Sequence, residues 1–288
     1  MELIVNLVIN GLATGMLIFL LAAGLTLIFG LMDVLNFAHG GLFVWGAYAG
    51  IFTYMYTESF LIGIIGAIVA GAVLGLLTEK FIITPVYGNH IQQILITLGL
   101  MLVLQEMIKV VFGPNGVSVK TPSYLAGSWE FGDVIIIKYR LFIIVVGFVI
   151  FGIFQYMLKR TKIGLIVRAG VQDKEMAQAL GIHIKQVFLY VFMVGAALAA
   201  LSGMLMAPYS GVIYAEMGME YAILGFIVVV IGGMGSFSGS LLAAILVGLA
   251  GSLMAYYVPV LAVNMILMAI VLIFRPQGLF TIGKERST

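Results

Sequence analysis

LIVNLVINGLATGMLIFLLAAGLTLIFGLM, residues 3–32, is a run of 30 residues that contains no charged side chain. As one helix it would be ~45 Å long, which exceeds the ~30 Å hydrocarbon core of a bilayer. The segment therefore predicts a membrane-spanning helix that tilts, breaks or begins outside the bilayer. It is too long for the apolar part of a signal peptide, and the first basic residue is Lys80, so we expect a retained first helix.

Apolar segments of the same kind recur along the whole chain. Of its 288 residues, 63% are hydrophobic and 9% are charged, and the mean hydropathy is +1.20, which excludes a water-soluble globule. The segments are apolar on every face, whereas the strands of membrane β-barrels alternate. We predict an all-α integral membrane protein, with residues 1–288 forming a single polytopic bundle of about 8–9 transmembrane helices. The further segments lie at 42–57, 60–78, 91–112, 141–158, 187–207, 221–231, 241–257 and 260–274, and the segment 221–231 is short enough for a partial crossing.

Basic residues predict the topology. They concentrate in the segment 159–186, at Lys159, Arg160, Lys162, Arg168, Lys174 and Lys185, and in the tail, at Arg275, Lys284 and Arg286. Basic loops stay in the cytoplasm, so both regions are predicted to be cytoplasmic. An even number of apolar segments separates them, which makes the two assignments consistent. Counting backward places the N-terminus outside and makes residues 113–140 the longest external loop.

Two polar or glycine-rich interruptions divide the apolar segments. The first, MDVLNFAHGG at residues 32–41, is either an interfacial turn or a discontinuous helix at membrane depth, in which Asn36 or Asp33 caps a second half-helix. The second is IGGMGSFSGS at residues 231–240. A Gly-x-Met element accompanies each interruption, at residues 30–32 and 232–234, so we predict an internal structural repeat with a substrate path between its halves.

Polar side chains also lie within the apolar segment 91–112 and just before it. Glu106 and Lys109 are three residues apart and are predicted to pair on one helix face. Gln92, Gln93 and Thr97 are better placed as hydrogen-bonding groups on a pathway, because amides and hydroxyls in a membrane helix usually face protein or water.

A short helix is predicted within the basic loop, over RAGVQDKEMAQALGI at residues 168–182. Asp173 is a good N-cap, Glu175 suits the positive helix start, and Gly181 suits the stop. Met176, Ala177 and Leu180 would form an apolar face that docks on another protein.

Absent motifs exclude several functions. The chain has no cysteine and no phosphate-binding Gly-x-x-x-x-Gly-Lys-Ser/Thr loop, and its three histidines, His39, His90 and His183, lie far apart in the sequence. A net charge of +2 does not indicate a nucleic-acid partner. We therefore predict no catalytic residue, no metal site and no cofactor on this chain.

Several of these stretches together resemble the LivH-type permease subunits of bacterial branched-chain amino acid ABC transporters. They are GLTLIFG at 24–30, VLNFAHG at 34–40, GAY at 46–48, the loop 168–182 and GGMGS at 232–236. The resemblance implies a multi-pass permease of the bacterial inner membrane that pairs with a LivM-type permease. It also implies two cytoplasmic ATPase subunits, which hold ATP and Mg²⁺, and a periplasmic or extracellular substrate-binding protein.

The resemblance also implies roles for particular residues. Glu175, Met176 and Ala177 with Gly181 look like the family's loop that receives the ATPase stroke, normally Glu-Ala-Ala with a downstream Gly, and Met176 departs from the middle position. The full coupling set is Arg168, Asp173, Glu175, Met176, Ala177, Leu180 and Gly181. The pathway set is Asn36, Phe37, His39, Gly40, Gln92, Gln93, Thr97, Gly232, Gly233 and Ser236, with a substrate carboxylate at a half-helix N-terminus.

Substrate class stays open at this point. Permeases for urea, short-chain amides and aromatic carboxylates share the architecture. Urea relatives tend to carry Met at the position of Phe37, so Phe37 favours amino acids. An ion-coupled secondary transporter is the rival from another class, but it would need paired intramembrane carboxylates, for which only Asp33 and Glu106 are candidates. A structural membrane scaffold is a third alternative.

Overall fold

The computed structural model describes residues 2–131, 134–255, 260–275 and 278–279, so the predicted basic tail residues Lys284 and Arg286 lie outside the described part. The described helices are α1 Glu2–Met32, α2 His39–Thr57, α3 Phe60–Thr78, α4 His90–Phe112, α5 Lys138–Arg160, α6 Lys162–Gln172, α7 Lys174–Ala179, α8 Ile184–Ser210, α9 Met217–Gly232, α10 Phe237–Met254 and α11 Val260–Phe274. A π-helical turn at Glu79–Ile83 and a 3-10 turn at Thr84–Val86 prolong α3.

Four short strands accompany the helices: β1 Val117–Ser118, β2 Ser128–Phe131, β3 Val134–Ile137 and β4 Val212–Ile213. Strands β2 and β3 form an antiparallel hairpin between α4 and α5, and β1 pairs with β4, which precedes α9. The predicted external loop 113–140 therefore carries strands and ends at Ile137, because Lys138–Arg160 is already helical.

Helix α1 is unbroken and occupies the centre of the bundle. Small residues let its backbone approach two neighbours: Gly24 meets Gly195 of α8, and Gly15 meets Ala244 of α10. Hydroxyl groups join the same surfaces, since Ser202 Oγ donates to the Leu17 carbonyl oxygen at 2.7 Å. Of the three alternatives for this segment, tilting, breaking or beginning outside the bilayer, a break does not occur, because α1 is continuous from Glu2 to Met32.

Within the described part of the chain, six helical stretches are long and apolar enough to cross a membrane: 3–32, 60–86, 90–112, 138–160, 184–210 and 237–254. Helix α2 has 19 residues, and α9 and α11 are shorter, with 16 and 15. At 1.5 Å per residue α9 is only about 24 Å long, so the expectation of a partial crossing fits its length. The chain is a multi-pass membrane bundle, as predicted.

The segments that connect the helices lie at the two ends of the bundle. At one end, Gly170 of α6 contacts Leu31, and the Leu279 N–H donates to the Ile231 carbonyl oxygen at 2.8 Å. At the other end, the Val119 N–H donates to the Gly211 carbonyl oxygen at 2.9 Å. The basic loop and residues 278–279 thus share one end, and the loop 113–137 lies at the opposite end. This relative arrangement agrees with the charge-based topology.

Candidate functional site

The first interruption leads the chain back into the bundle. Helix α1 ends at Met32, and Asp33 adopts a left-handed conformation with φ 57°. The His39 Nε2 atom then lies 3.2 Å from the carbonyl oxygen of Leu21. Leu21 precedes Met32 by eleven residues, so α2 begins about 16 Å back from the end of α1. This is the geometry of a discontinuous helix.

The start of α2 has no side-chain cap. Ala38 occupies the N-cap position and makes no capping hydrogen bond, so the prediction that Asn36 or Asp33 caps this helix is wrong. Asn36 is 2% exposed, and neither its Oδ1 nor its Nδ2 has a hydrogen-bond partner among the described residues. A buried polar group left without a partner costs about 1–3 kcal/mol. Asn36 therefore destabilises the structure in which it sits.

A narrow pocket adjoins Asn36. Its walls are otherwise apolar, and the Phe37 and Phe226 rings approach to 5.8 Å between centroids. Because Asn36 is almost completely buried within this one chain, a neighbouring protein cannot reach its carboxamide. The pocket has a volume of about 10 Å³, so a small molecule could reach the carboxamide only after the pocket walls move apart. The lining residues are Leu25, Leu35, Asn36, Phe37, Ala222 and Phe226.

Helix α4 holds the interruption from the side. The Phe37 N–H donates to Thr97 Oγ1 at 3.3 Å, and Thr97 Oγ1 donates to the Gln93 carbonyl oxygen at 2.7 Å. Gln93 is buried, and its Nε2 donates to the Val86 carbonyl oxygen at 3.3 Å. The structure therefore brings Thr97 to the interruption, whereas the Gln93 side chain bonds to the turn that precedes α4. Gln92 is exposed on another side of α4 and is not brought there.

His39 and Gly40 are packing residues in this structure. His39 is fully buried, and its Nδ1 has no hydrogen-bond partner among the described residues. A Cβ added to Gly40 would overlap the carbonyl oxygen of Gly218, so α2 and α9 touch backbone to backbone here. Only a glycine fits this crossing.

The second interruption is closely packed, backbone against backbone. The Gly239 N–H donates to Ser236 Oγ at 3.2 Å, which caps α10. A Cβ on Gly232 would lie 2.6 Å from the carbonyl carbon of Gly239, and one on Gly30 would lie 2.9 Å from Gly235 Cα. Gly232, Gly233 and Ser236 thus lie near the end of α1, about one to two helical turns beyond the pocket at Asn36.

Three charged side chains lie together near the C-terminal end of α4, away from the first interruption. Lys109 Nζ lies 2.9 Å from Glu106 Oε1, as predicted, and 2.8 Å from Glu216 Oε1, which the sequence did not indicate. The hydrogen bond from Lys109 lowers the pKa of Glu216. Asp33 lies at the far end of the bundle, where its carboxylate is 3.7 Å from His90 Nε2. The two candidate carboxylates are therefore not paired with each other.

The predicted loop helix is present as α7. The Met176 N–H donates to Asp173 Oδ1 at 2.9 Å, and the Gly181 N–H, at φ 85°, donates to the Gln178 carbonyl oxygen at 2.9 Å. Ala177 is buried, but Met176 and Leu180 are 58% and 74% exposed. Glu175 is exposed on α7, and Arg168 is exposed on the preceding helix.

Helix α6 was not predicted, although its signals are in the sequence. Thr161 caps it by accepting from the Gly164 N–H at 3.2 Å. Through Gly170, α6 contacts Leu31 and Ile184. The segment that carries α7 is thereby attached to the end of α1, one residue before the first interruption begins.

This arrangement defines a class of protein: a multi-pass membrane protein with a discontinuous helix inside it and a short exposed helix at one end. Discontinuous helices of this kind are typical of transporters. Residues 7–275 match the family model described as "Branched-chain amino acid transport system / permease component". The chain belongs to this permease family.

Individual relatives agree with the family. The chain is 28% identical to the high-affinity branched-chain amino acid transport system permease protein BraD of Pseudomonas aeruginosa, over 94% of each chain. It is 28% identical to LivH of Salmonella typhimurium, over 94% of this chain and 93% of that one. It is also 28% identical to LivM of Escherichia coli, over 94% of this chain and 69% of that one.

A solved structure shares the fold. PsaBC from Streptococcus pneumoniae in complex with Fab aligns with a TM-score of 0.51 and 15% identity, covering 96% of this chain and 91% of that chain. At this identity the likeness concerns the fold alone.

Proposed function

We propose that this chain is a transmembrane permease subunit of an ATP-driven importer and forms half of a translocation pathway for branched-chain, hydrophobic amino acids. The observation that carries the proposal is the family match over residues 7–275, together with relatives whose names specify high-affinity branched-chain amino acid transport. In this proposal residues 1–288 form one permease domain, and no catalytic, metal or cofactor site belongs to it.

The other half of the pathway is a LivM-type permease. The chain is 28% identical both to LivH, over 93% of that chain, and to LivM, over 69% of that chain, as expected of two subunits that share a fold. Substrate arrives from a periplasmic or extracellular binding protein at the end that carries the loop 113–137. The complex lies in the bacterial inner membrane, with the N-terminus outside and the basic loop 159–186 and the C-terminus in the cytoplasm.

The exposed apolar side chains at α7 favour a docking site for separate ATPase subunits, which bind ATP and Mg²⁺. Met176 and Leu180 project from a helix that Asp173 and Gly181 hold in place, so a partner can cover an apolar surface without ordering it first. The helix is joined to α6 and, through Gly170, to the end of α1. A push on α7 would therefore reach the first interruption.

An ion-coupled transporter is less well supported. Asp33 and Glu106 are each within ion-pair distance of a different basic side chain, His90 and Lys109. His90 and Glu106 are sixteen residues apart on α4, so the two carboxylates lie about 24 Å apart along the helix. They form no shared cation site.

The test is reconstitution of the complete complex in proteoliposomes and measurement of labelled leucine uptake, with ATP and the binding protein each present or omitted. Uptake that requires both supports the importer. Uptake without ATP contradicts it. ATP hydrolysis stimulated by the binding protein, without leucine uptake, would retain the architecture and move the substrate to urea, amides or aromatic carboxylates.

A matched pair of variants tests α7. Leu180→Ser removes an exposed apolar side chain from α7, whereas Tyr124→Ser removes a similarly exposed side chain at the opposite end of the bundle. We expect Leu180→Ser to weaken ATPase binding in pull-down experiments by about tenfold, since an apolar anchor contributes over 1 kcal/mol. Tyr124→Ser should leave ATPase binding unchanged. Equal effects would contradict the proposed docking role of α7.

A further inference from the structure

We propose that the pocket beside Asn36 binds one zwitterionic aliphatic amino acid during translocation. This inference rests on the proposed import function and names the part of the pathway that recognises the substrate. The carboxylate and ammonium groups contact the Asn36 carboxamide, and the aliphatic side chain contacts the apolar walls.

The polar end of the site is Asn36. This residue is 2% exposed, lines the pocket and has no partner for either side-chain atom among the described residues. A ligand that pairs with both atoms would remove the cost of about 1–3 kcal/mol that an unpaired buried polar group carries.

The carboxamide of Asn36 matches a zwitterion. Its Nδ2 can donate to a carboxylate, and its Oδ1 can accept from an ammonium group of the same molecule. An aromatic carboxylate without an amine would leave Oδ1 unpaired. Urea would leave the apolar walls empty.

The apolar end of the site fits an aliphatic side chain. The walls contributed by Leu25, Leu35 and Phe226 present only carbon atoms beside the carboxamide. The Phe37 and Phe226 rings are 5.8 Å apart in this structure, so the pocket admits substrate only after α9 moves away from the interruption. The site is therefore transient, as a pathway site must be if the substrate is to leave it.

The first experiment is photolabelling with photo-leucine, a diazirine analogue whose reactive group is in the side chain. The complete reconstituted importer is given photo-leucine, binding protein and ATP, irradiated during turnover and analysed by peptide mass spectrometry. We expect labels on peptides that contain Leu25, Phe37 or Phe226, and loss of those labels with excess leucine. Labels confined to other helices would overturn the proposal.

The second experiment uses Asn36→Asp. A buried carboxylate lowers the free energy of unfolding whatever the role of the residue, so the stability of this variant is measured beside its transport and compared with that of a matched control. A carboxylate in the pocket would be repelled, and we expect leucine uptake to fall about tenfold or more while ATP hydrolysis stimulated by the binding protein persists. Uptake per ATP equal to that of the wild type would overturn the proposal.

Asn264→Asp is the matched control. Asn264 is also fully buried with both side-chain atoms unpartnered among the described residues, but it lies on α11, outside the pocket. The Asn264→Asp substitution introduces a comparable buried carboxylate, and leucine uptake per ATP should match the wild type. If the wild-type complex shows no ATP-dependent leucine uptake, the importer proposal itself fails. Wild-type uptake combined with labels outside the pocket defeats only the site.

Discussion

The two interruptions of the bundle look alike in sequence and differ in structure. At residues 233–236 glycine backbones press against one another, and Ser236 caps the following helix. At residues 33–38 the chain turns back about 16 Å along α1, and the following helix starts without a side-chain cap, beside Asn36, whose side chain has no partner among the described residues. The second interruption is therefore closely packed, whereas the first contains polar groups that another molecule can satisfy.

Gly232→Ala should produce the largest effect. The new Cβ would lie 2.6–2.7 Å from backbone atoms of Gly239 and Ser240, which cannot rotate away. We expect a loss of about 3 kcal/mol in the free energy of unfolding, measured by denaturation of the purified protein. Gly99→Ala is the control: nothing lies within 4 Å of its Cβ position, and alanine favours a helix interior. A Gly232→Ala protein as stable as the wild type would show that the second interruption is not closely packed.

Asn36→Leu should act in opposite directions on stability and transport. It removes two unpartnered polar atoms from a buried site and keeps a similar volume. We expect a gain of about 1–3 kcal/mol in the free energy of unfolding and a loss of leucine uptake. Thermal denaturation and proteoliposome uptake on the same preparation measure both. Lower stability would mean that Asn36 has partners in the native protein, and that the contrast between the interruptions is smaller than the structure indicates.

Ser236→Ala should cost about 1 kcal/mol, because it removes the acceptor for the Gly239 N–H. Thermal denaturation measures this loss. A Ser236 hydroxyl that faced substrate instead would give the reverse pattern, in which leucine uptake changes and stability does not. This variant therefore tests directly whether the second interruption is structural.

His90→Ala should have the smallest effect. The Asp33 and His90 side chains are 57% and 56% exposed, and such surface ion pairs contribute below about 1 kcal/mol.

Thr97→Val removes the buried hydroxyl that accepts from the Phe37 N–H and should lower the free energy of unfolding by about 1–3 kcal/mol. Denaturation of both variants shows which contact holds the first interruption. A larger loss for His90→Ala would assign that role to the ion pair.

Much of the fold follows from hydropathy, because a membrane helix needs only an apolar run of sufficient length. The predicted segment 60–78 coincides with α3, and 260–274 coincides with α11. Local interactions were also sufficient to predict α7. Asp173 starts this helix and Gly181 ends it, each through contacts within a few residues. Helix α6 had a similar local cap at Thr161 and could have been predicted in the same way.

The site could be predicted only in part. The polar stretch around Asn36 left an interfacial turn and a discontinuous helix as alternatives, because the choice between them depends on His39 meeting Leu21, a contact that no local pattern encodes. The pairing of Lys109 with Glu216 likewise depends on how α4 meets the start of α9. The same pathway role was predicted for Gln92 and Gln93. In the structure Gln92 is exposed and Gln93 is buried, because neighbouring helix positions face about 100° apart.

The central position of α1 also constrains how the protein is made. Helix α1 leaves the ribosome first, yet α10 begins only at Phe237, and Ser252 donates to the Leu7 carbonyl oxygen across 245 residues. At synthesis rates of ~5–20 residues per second, α1 waits roughly 10–50 s for that neighbour. Its surface of glycine, asparagine and threonine must be tolerated by lipid or by the insertion machinery during this time. The first helix is thus made long before the helix that buries this side of it.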